Sequence, residues 1–297
     1  MKIVYALTDV CNWHCSHCYK RLRQGTDIAR PIDQCKKDIK ALLEGGHTVT
    51  LGGAENLTNS DYLEIYGLIG QKYILSNGVI PSKDKGLCAD LAAVGIECIH
   101  ISWHIGMIDA IKSVPEKIVR RAIDNAIEAG LAVMILCDVG NLNYNLLMQI
   151  TAEVKKAGAV SIKFMQLMPT NQQVEPYLMT AKQKESAIKQ IRLSRTCYRE
   201  EELKIKVHGT FNAIKLTERR AIASSQGVFC PAGKDMIAID TDDKVYPCPF
   251  LAQAQFQIGI WEDGQLKINK TIANDGKNCL AESQLIPQHN LAGRRLK

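Results

Sequence analysis

Three cysteines near the start of the 297-residue chain are spaced so that they can bind one metal centre. Cys11, Cys15 and Cys18 directly follow a short apolar, β-branched run. Thiolates at this spacing on one loop can converge on a soft metal. Three thiolates would leave one iron of a cubane cluster open. A closed zinc site needs four ligands, and His14 or His17 would supply the fourth. The spacing alone leaves both kinds of site open.

Three further cysteines, Cys230, Cys248 and Cys279, lie in the last third of the chain. The chain has 11 cysteines in all, an odd number, and its first residues lack the apolar segment of a signal peptide. Both features indicate a reducing compartment, in which thiols bind metal or act in catalysis rather than form disulfides. We therefore expect a cytoplasmic protein.

The overall composition is that of a globular chain and excludes several classes of partner. With 46% hydrophobic and 23% charged residues, the chain is neither disordered nor fibrous. The 37 basic and 31 acidic residues give a net charge of +6, and the cations are scattered along helical stretches. This pattern does not indicate binding to nucleic acid. No apolar run reaches the roughly 20 residues of a membrane helix, so we expect no membrane partner.

The elements that position the first cysteines alternate regularly between strands and helices. The predicted strands are Ile3–Leu7, Thr48–Leu51, Tyr73–Leu75, Glu97–Ser102, Ala132–Asp138 and Val160–Met165. The predicted helices are Asp33–Leu43, Ser60–Ile69, Lys85–Val94, Glu116–Ala129, Tyr144–Lys156 and Thr180–Leu193. Such alternation predicts an α/β fold with a parallel sheet, and six units are too few to close a TIM barrel. We expect a partial (β/α)6 TIM-like barrel over residues 1–195, with its site at the C-terminal ends of the strands.

The rhythm changes after residue 195, which predicts a smaller module over residues 196–297. Lys204–Val207 is a further predicted strand, and Thr217–Gln226 is a predicted polar connection. Met236–Asp240 and Lys244–Pro247 flank a short polar turn and predict a β-hairpin.

The cysteine loop after the first strand resembles the signature of the radical S-adenosylmethionine (SAM) superfamily. The resemblance implies that Cys11, Cys15 and Cys18 hold a [4Fe–4S] cluster. It also implies that SAM binds the open iron and that His17 contacts this cofactor.

A glycine-rich turn after the second strand supports the same resemblance. Gly52, Gly53 and Glu55 are similar to the superfamily turn that binds the methionyl amino group, where glycine lets the backbone approach the ligand. The superfamily sequence is usually Gly-Gly-Glu-Pro. Here Ala54 is inserted and Asn56 replaces the proline.

The ends of the third to sixth strands resemble further cofactor contacts of the superfamily. They include a Ser-Asn-Gly turn, a serine for the ribose or carboxylate, an asparagine after the fifth strand and a segment lining the adenine. The residues assigned in this way are Ser76, Asn77, Ser102, Asn141, Asn143, Leu167 and Met168. The resemblance does not choose between the two asparagines after the fifth strand.

The C-terminal cysteines resemble those of SPASM and twitch modules, which bind auxiliary iron–sulfur clusters. Cys230 and Cys248 fit the opening of that pattern, although Asp243 stands where a glycine is usual. The resemblance implies one auxiliary [4Fe–4S] cluster, with Cys279 as the third ligand. The fourth ligand stays open, and Cys197 is a more remote candidate.

Two neighbouring residues near the end of the fifth strand are candidates for catalysis. If Cys137 pointed into the barrel, its thiol could donate a hydrogen atom to a substrate radical, although a core position is favoured. Asp138 is a candidate base, and Glu55, His104 and His208 are other candidate proton acceptors.

The resemblance implies a radical SAM enzyme of the oxidoreductase or maturase type. We expect it to take a hydrogen atom from a ribosomally synthesised peptide and so to crosslink, epimerise or oxidise it. The alternative is a twitch-type small-molecule dehydrogenase or cyclase, and a non-enzymatic alternative is an iron–sulfur carrier or zinc protein. An external reductant such as flavodoxin or ferredoxin is implied. Since only ten residues precede Cys11, we expect any peptide-recognition domain to be a separate protein.

Overall fold

The computed structural model of the chain describes residues 1–22, 27–208, 211, 230–274 and 279–285. Its parallel strands are β1 (Lys2–Ala6), β2 (Thr48–Gly52), β3 (Tyr73–Ser76), β4 (Cys98–Ser102), β5 (Ala132–Val139), β6 (Ser161–Gln166) and β7 (Lys204–His208). β1 and β2 pair in one sheet, and β3 to β7 follow in order in a second sheet. The predicted α/β fold is confirmed as a partial barrel, and the strands of the described ranges do not close into a ring.

Helices connect the successive parallel strands, as the alternating pattern predicts. They are α1 (Ile32–Glu44), α2 (Tyr62–Ile69), α3 (Val79–Lys83), α4 (Lys85–Ala93), α5 (Glu116–Glu128), α6 (Leu147–Lys156) and α7 (Ala181–Cys197). A further helix, α8 (Leu280–Leu285), follows the C-terminal strands. The short helix α3 was not predicted; it begins after Gly78, whose φ of 86° is left-handed and favours glycine. No helix in the described ranges has both the length and the apolar character needed to cross a membrane.

Alternate residues of β5 lie on opposite faces of the sheet, because side chains alternate along a strand. Val133, Ile135 and Cys137 are fully buried in the main core, which also holds the inner face of α5. Asp138 lies on the other face, where its carboxylate contacts His17 in the cysteine loop. The strand therefore directs one of the two candidate catalytic residues to the helix layer and the other toward the loop.

A C-terminal hairpin extends the first sheet on the free side of β1. Its strand β8 (Met236–Ile239) runs parallel to β1, with Ile237 opposite Ile3. The following strands β9 (Lys244–Tyr246), β10 (Gly259–Glu262) and β11 (Gln265–Ile268) pair antiparallel in turn. The predicted hairpin is confirmed. Its pairing with β1 was not predicted, because periodicity identifies a strand but not the edge that it joins.

The predicted boundary at residue 195 stays a prediction. β7 lies beyond it and nevertheless pairs with β6, from Lys204 opposite Ser161 to His208 opposite Met165. The polar connection predicted at 217–226 lies outside the described residues.

A buried lysine joins the first cysteine loop to the C-terminal hairpin. Lys20 is 7% exposed, and its Nζ donates to Asp9 Oδ1 at 2.6 Å and to the carboxylate of Asp240. Thr241 Oγ1 also donates to Asp9, and Arg30 donates to the backbone carbonyl of Asp240. The ammonium thus balances two buried carboxylates that come from opposite ends of the chain.

Replacing this lysine by an apolar residue is expected to destabilise the fold. Lys20→Met leaves Asp9 and Asp240 buried without their shared cation, which costs about 3–5 kcal/mol in comparable buried pairs. Urea unfolding of the full chain measures this loss as a lower midpoint. Lys36→Met is the matched control, since Lys36 forms an exposed ion pair with Glu64. Equal midpoints for the two variants would contradict the assignment of Lys20 as a structural clamp.

Candidate functional site

The loop that carries the first three cysteines is held by two neighbouring segments. The indole Nε1 of Trp13 donates to the Lys112 carbonyl at 3.0 Å, after β4. On the other side, Asn171 Nδ2 donates to the Ser16 carbonyl at 2.8 Å, after β6. These contacts fix the backbone between the cysteines, all three of which are half-buried.

The first cysteine lies close to the ends of β2 and β3. Its sulfur accepts a hydrogen bond from Asn77 Nδ2 at 3.5 Å. Burial raises the pKa of the Cys11 thiol, and the nearby Glu55 and Cys18 raise that pKa further. Such a thiol is neutral without metal, and a bound iron would stabilise its thiolate.

The spacing of the thiols does not suit a single metal ion. Among the described residues, the only three ligand atoms that all lie within 4.8 Å of one another belong to His17, His104 and Asp138. His14 is exposed, and its Nδ1 contacts the Trp13 carbonyl. The three loop thiols do not form such a group. An iron–sulfur cluster, whose thiolates bind different irons, fits this spacing.

The glycine-rich turn after β2 packs directly on the cysteine loop. Gly53 has a φ of 142°, and a Cβ there would lie 2.9 Å from the Thr8 carbonyl oxygen. The next two amides donate to this loop, Ala54 to Thr8 at 2.8 Å and Glu55 to Val10 at 3.1 Å. Glycine is therefore required at position 53 for backbone contact with the loop. Gly52 is less restricted, since a Cβ there would lie 2.9 Å from a side-chain atom of Val4 on β1, which would have to move.

Glu55 places a carboxylate oxygen without a partner inside this site. The residue is 1% exposed, and its Oε2 accepts the Asn77 amide at 2.6 Å. Its Oε1 is buried and has no hydrogen-bond partner in the described structure. Burial raises the pKa of Glu55 to about 7, partly offset by the Asn77 amide and Ser76 side chain. The free oxygen can accept a hydrogen bond from an ammonium group.

The turn after β3 connects Glu55 to the cysteine loop. Asn77 donates from its amide to Glu55 and from Nδ2 to Asn12 Oδ1 at 2.7 Å, while its Oδ1 accepts the Val79 amide. Ser76 Oγ accepts the Gly78 amide at 3.0 Å. The structure thus brings Glu55, Ser76 and Asn77 together at adjacent strand ends.

The side chains on β4 and after β5 that were predicted to contact the cofactor differ in their burial and hydrogen bonds. Ser102 is half-buried at the end of β4. Asn143 is fully buried, and its side chain bonds the backbone of Gly140, Asp138 and Ile105, so it holds its own loop. By contrast, Asn141 Oδ1 is buried and has no partner among the described residues. Of the two asparagines, Asn141 keeps an oxygen for a ligand.

Leu167 and Met168, predicted to line an adenine, lie in two small apolar clusters. Leu167 packs with Met107 and Ile111, the latter bonded through its carbonyl to the cysteine loop. Met168 packs with Cys248 and other residues around the C-terminal thiols. The segment after β6 therefore lies between the two groups of cysteines.

A histidine–aspartate group lies on the same side of the barrel as the cysteine loop. His17 Nε2 is 3.3 Å and His104 Nδ1 is 3.5 Å from Asp138 Oδ2, and the two rings meet edge to face. Burial raises the pKa of Asp138 to about 7 and lowers that of His17 to about 4. His104 Nδ1 accepts the Asp138 amide at 3.0 Å, so its proton lies on Nε2. Neither nitrogen of His104 then has a lone pair free for a metal.

The structure does not bring Cys137 to this site. Its side chain is fully buried in the helix-facing core, one residue before Asp138 on the opposite face of β5. Burial also raises the pKa of its thiol well above the usual range. The hydrogen-donor role considered for Cys137 has no support from this position. His208, at the end of β7, is exposed.

The three C-terminal cysteines converge in one small apolar cluster. Cys230, Cys248 and Cys279 pack there with residues of α8. The pKa of Cys248 is raised to about 12, mainly by burial and in part by the nearby Cys279 and Cys230 thiols. Asn274 holds the first of them by donating to the Cys230 carbonyl at 3.1 Å. Cys197, the remoter candidate, is exposed at the end of α7.

Several residues of the site were missed in the sequence. Tyr19 and Lys20 follow the last loop cysteine and contact the C-terminal module. Glu282 on α8 is buried and accepts Gln166 Nε2 at 2.8 Å, at the end of β6. Of these residues, only Tyr19 could have been recognised in the sequence, because it is an aromatic residue directly after a cysteine. The others depend on long-range packing that residue spacing does not encode.

Solved structures with a similar fold cover most or all of the chain. anSMEcpe with bound AdoMet and Kp18Cys peptide has a TM-score of 0.67 at 14% identity, over 88% of this chain and 78% of that chain. Streptococcus suis SuiB bound to S-adenosylmethionine has a TM-score of 0.68 at 13% identity, over 100% and 68%. SuiB bound to precursor peptide SuiA gives 0.66 at 14% identity, over 100% and 67%. At these identities, the likeness establishes the fold. No curated protein matches the sequence.

The first half of the chain matches a known family model. Residues 5–150 match the model of the radical SAM superfamily, from β1 into α6 and across the three loop cysteines. The chain thus contains a radical SAM domain, which spans about half of its length. Its cofactors are SAM and a [4Fe–4S] cluster. The site fits both, since the loop has three half-buried thiols and Glu55 has an unpartnered oxygen for the methionyl amino group.

Glu55 is expected to control the affinity for SAM. Its pKa is raised to about 7, so the carboxyl is neutral below that pH and ionised above it. An ionised carboxylate accepts hydrogen bonds from the methionyl amino group more strongly than a neutral carboxyl does, so binding should strengthen from about pH 6 to about pH 8. Glu55→Gln should weaken binding roughly tenfold or more and flatten this pH dependence.

Calorimetric titration of SAM into the anaerobically reconstituted protein measures both effects. Glu64→Gln, an exposed site on α2, is the control and should retain the parental profile. If Glu55→Gln keeps the parental affinity and pH profile, Glu55 does not bind the amino group of SAM.

Proposed function

We propose that the chain is a radical SAM enzyme that modifies a ribosomally synthesised peptide by a crosslink, an epimerisation or an oxidation. The observation that carries the proposal is the link from Cys11, in the three-cysteine loop, through Asn77 to Glu55 at the strand ends. Two solved structures of similar fold contain peptides, Kp18Cys in anSMEcpe and SuiA in SuiB. This likeness supports a peptide as the substrate class here.

The residues of the chain bind and orient the cofactors in this proposal. When bound, the cluster supplies the electron that cleaves SAM, and the resulting 5′-deoxyadenosyl radical takes a hydrogen atom from the substrate. Cys11, Cys15 and Cys18 would hold three irons. Glu55 would accept a hydrogen bond from the methionyl amino group, and Asn77 orients both Glu55 and Cys11 through its hydrogen bonds.

Asp138 is the proposed proton acceptor. Its carboxylate lies beside His17, one residue from Cys18 in the cysteine loop, and its raised pKa of about 7 suits proton transfer near neutral pH. Oxidation or crosslinking requires that the substrate lose a proton, which Asp138 can take. An epimerase would instead need a hydrogen-atom donor, and Cys137 lies on the other face of β5. These positions favour oxidation or crosslinking over epimerisation.

Cys230, Cys248 and Cys279 are the proposed ligands of one auxiliary [4Fe–4S] cluster. Their grouping around a buried thiol supports this assignment. An auxiliary cluster would accept the second electron of an oxidation. A flavodoxin or ferredoxin is the proposed external reductant, and the cytoplasm is the proposed location.

The alternative function is a twitch-type small-molecule dehydrogenase or cyclase. Only three cysteines converge in the described C-terminal module, which supports one auxiliary cluster, as in twitch modules. This observation favours the alternative but does not exclude a peptide substrate, which a separate recognition protein would deliver.

Substrate-stimulated cleavage of SAM tests the proposal. The reconstituted enzyme, SAM and dithionite are incubated with short peptides encoded beside the gene, or with a panel of aminocyclitols. We expect a peptide to stimulate 5′-deoxyadenosine formation and to lose mass by two hydrogens. Asp138→Asn should retain the cleavage of SAM but lose the product. Stimulation by an aminocyclitol and by no peptide would overturn the peptide assignment in favour of the alternative.

A further inference from the structure

Tyr19 lies between the two groups of thiols. It directly follows Cys18, the last cysteine of the loop. Its ring packs against Phe250 with centroids 5.0 Å apart and planes inclined by 58°. Phe250 in turn lies two residues after Cys248. One ring contact therefore joins the two cysteine sites through short stretches of backbone.

The groups around the Tyr19 hydroxyl are consistent with a position between the two groups of thiols. Burial raises the pKa of the phenol, and the nearby Cys18 raises it further. Asp240, Asp9 and Cys248 contribute in the same direction. The Tyr19 side chain therefore lies near a thiol of each group.

Both rings are held by the fold. Lys20, the residue after Tyr19, is fixed by its ion pairs with Asp9 and Asp240. Phe250 lies in the short 3-10 turn Pro249–Leu251, whose last residue is fully buried. The contact between the rings is therefore built into the junction of the barrel and the C-terminal hairpin.

We propose that Tyr19 and Phe250 form the electron-transfer contact between the radical SAM cluster and the auxiliary cluster. This inference rests on the auxiliary cluster of the proposed function. One electron passes from the reduced auxiliary cluster to the oxidised radical SAM cluster. No bond forms or breaks, no proton moves, and neither ring is oxidised in the net step. The two rings are positioning residues, since they keep the space between the sites filled with contiguous π systems.

Three variants of the full chain separate the ring from the hydroxyl. Tyr19→Leu and Phe250→Leu remove one ring each but keep an apolar side chain. Tyr19→Phe keeps the ring and removes only the hydroxyl, so it is the matched control. Iron content, the midpoint potentials and the spin–spin interaction of the fully reduced protein are measured first, and we expect them to match those of the parent.

The rate of transfer between the clusters is then measured. Fully reduced protein, freed of dithionite, is mixed with SAM, and the loss of the auxiliary signal is followed by freeze-quench electron paramagnetic resonance. We expect the loss to slow roughly tenfold in both leucine variants and to stay within about twofold of the parent in Tyr19→Phe.

Each outcome decides the inference. Parental rates in the leucine variants, with both clusters intact, would overturn the relay and leave the proposed function standing. About four irons per parent chain would overturn the relay together with the auxiliary cluster. If Tyr19→Leu loses iron because it adjoins Cys18, Phe250→Leu decides the result from the other side of the contact.

Discussion

The position of both cysteine groups depends on one buried lysine and its two ion pairs. Lys20 joins Asp9, at the start of the cysteine loop, to Asp240, at the end of β8. The parallel pairing of β8 with β1 brings these residues together, and the ammonium balances charges that would otherwise oppose burial. The hairpin and the loop are therefore one structural unit, so the C-terminal cysteines have a fixed place beside the barrel.

A second constraint operates at the strand ends, where the backbone of the turn after β2 lies so close to the cysteine loop that a side chain would not fit between them. Gly53 lets the turn after β2 approach Thr8, and this approach directs Glu55 toward the turn after β3. Asn77 then links Glu55 to Cys11. The site is a set of neighbouring strand ends in mutual contact, as expected for a parallel α/β sheet. Glu55 and Cys11 each have a contact within the protein as well as a proposed ligand.

The sequence predicted the local elements and the cysteine loop, because periodicity and spacing are local properties. It did not predict that β8 would pair with β1, or that Lys20 would be buried, because both depend on partners more than 200 residues away. Asp138 and His104 were each named as candidate proton acceptors, but their contact with each other and with His17 required the fold. Cys137 was placed by strand alternation, which fixes its face once Asp138 is known to face the loop.

Iron counting in two triple variants tests the central claim that each group of three cysteines holds one cluster. One variant replaces the three loop cysteines by alanine, and the other replaces the three C-terminal cysteines. After anaerobic reconstitution, the account predicts about eight irons in the parent and about four in each variant. Formation of 5′-deoxyadenosine should be lost in the loop variant. About four irons in the parent, all lost with the loop cysteines, would contradict the second site, and zinc without 5′-deoxyadenosine would contradict the whole account.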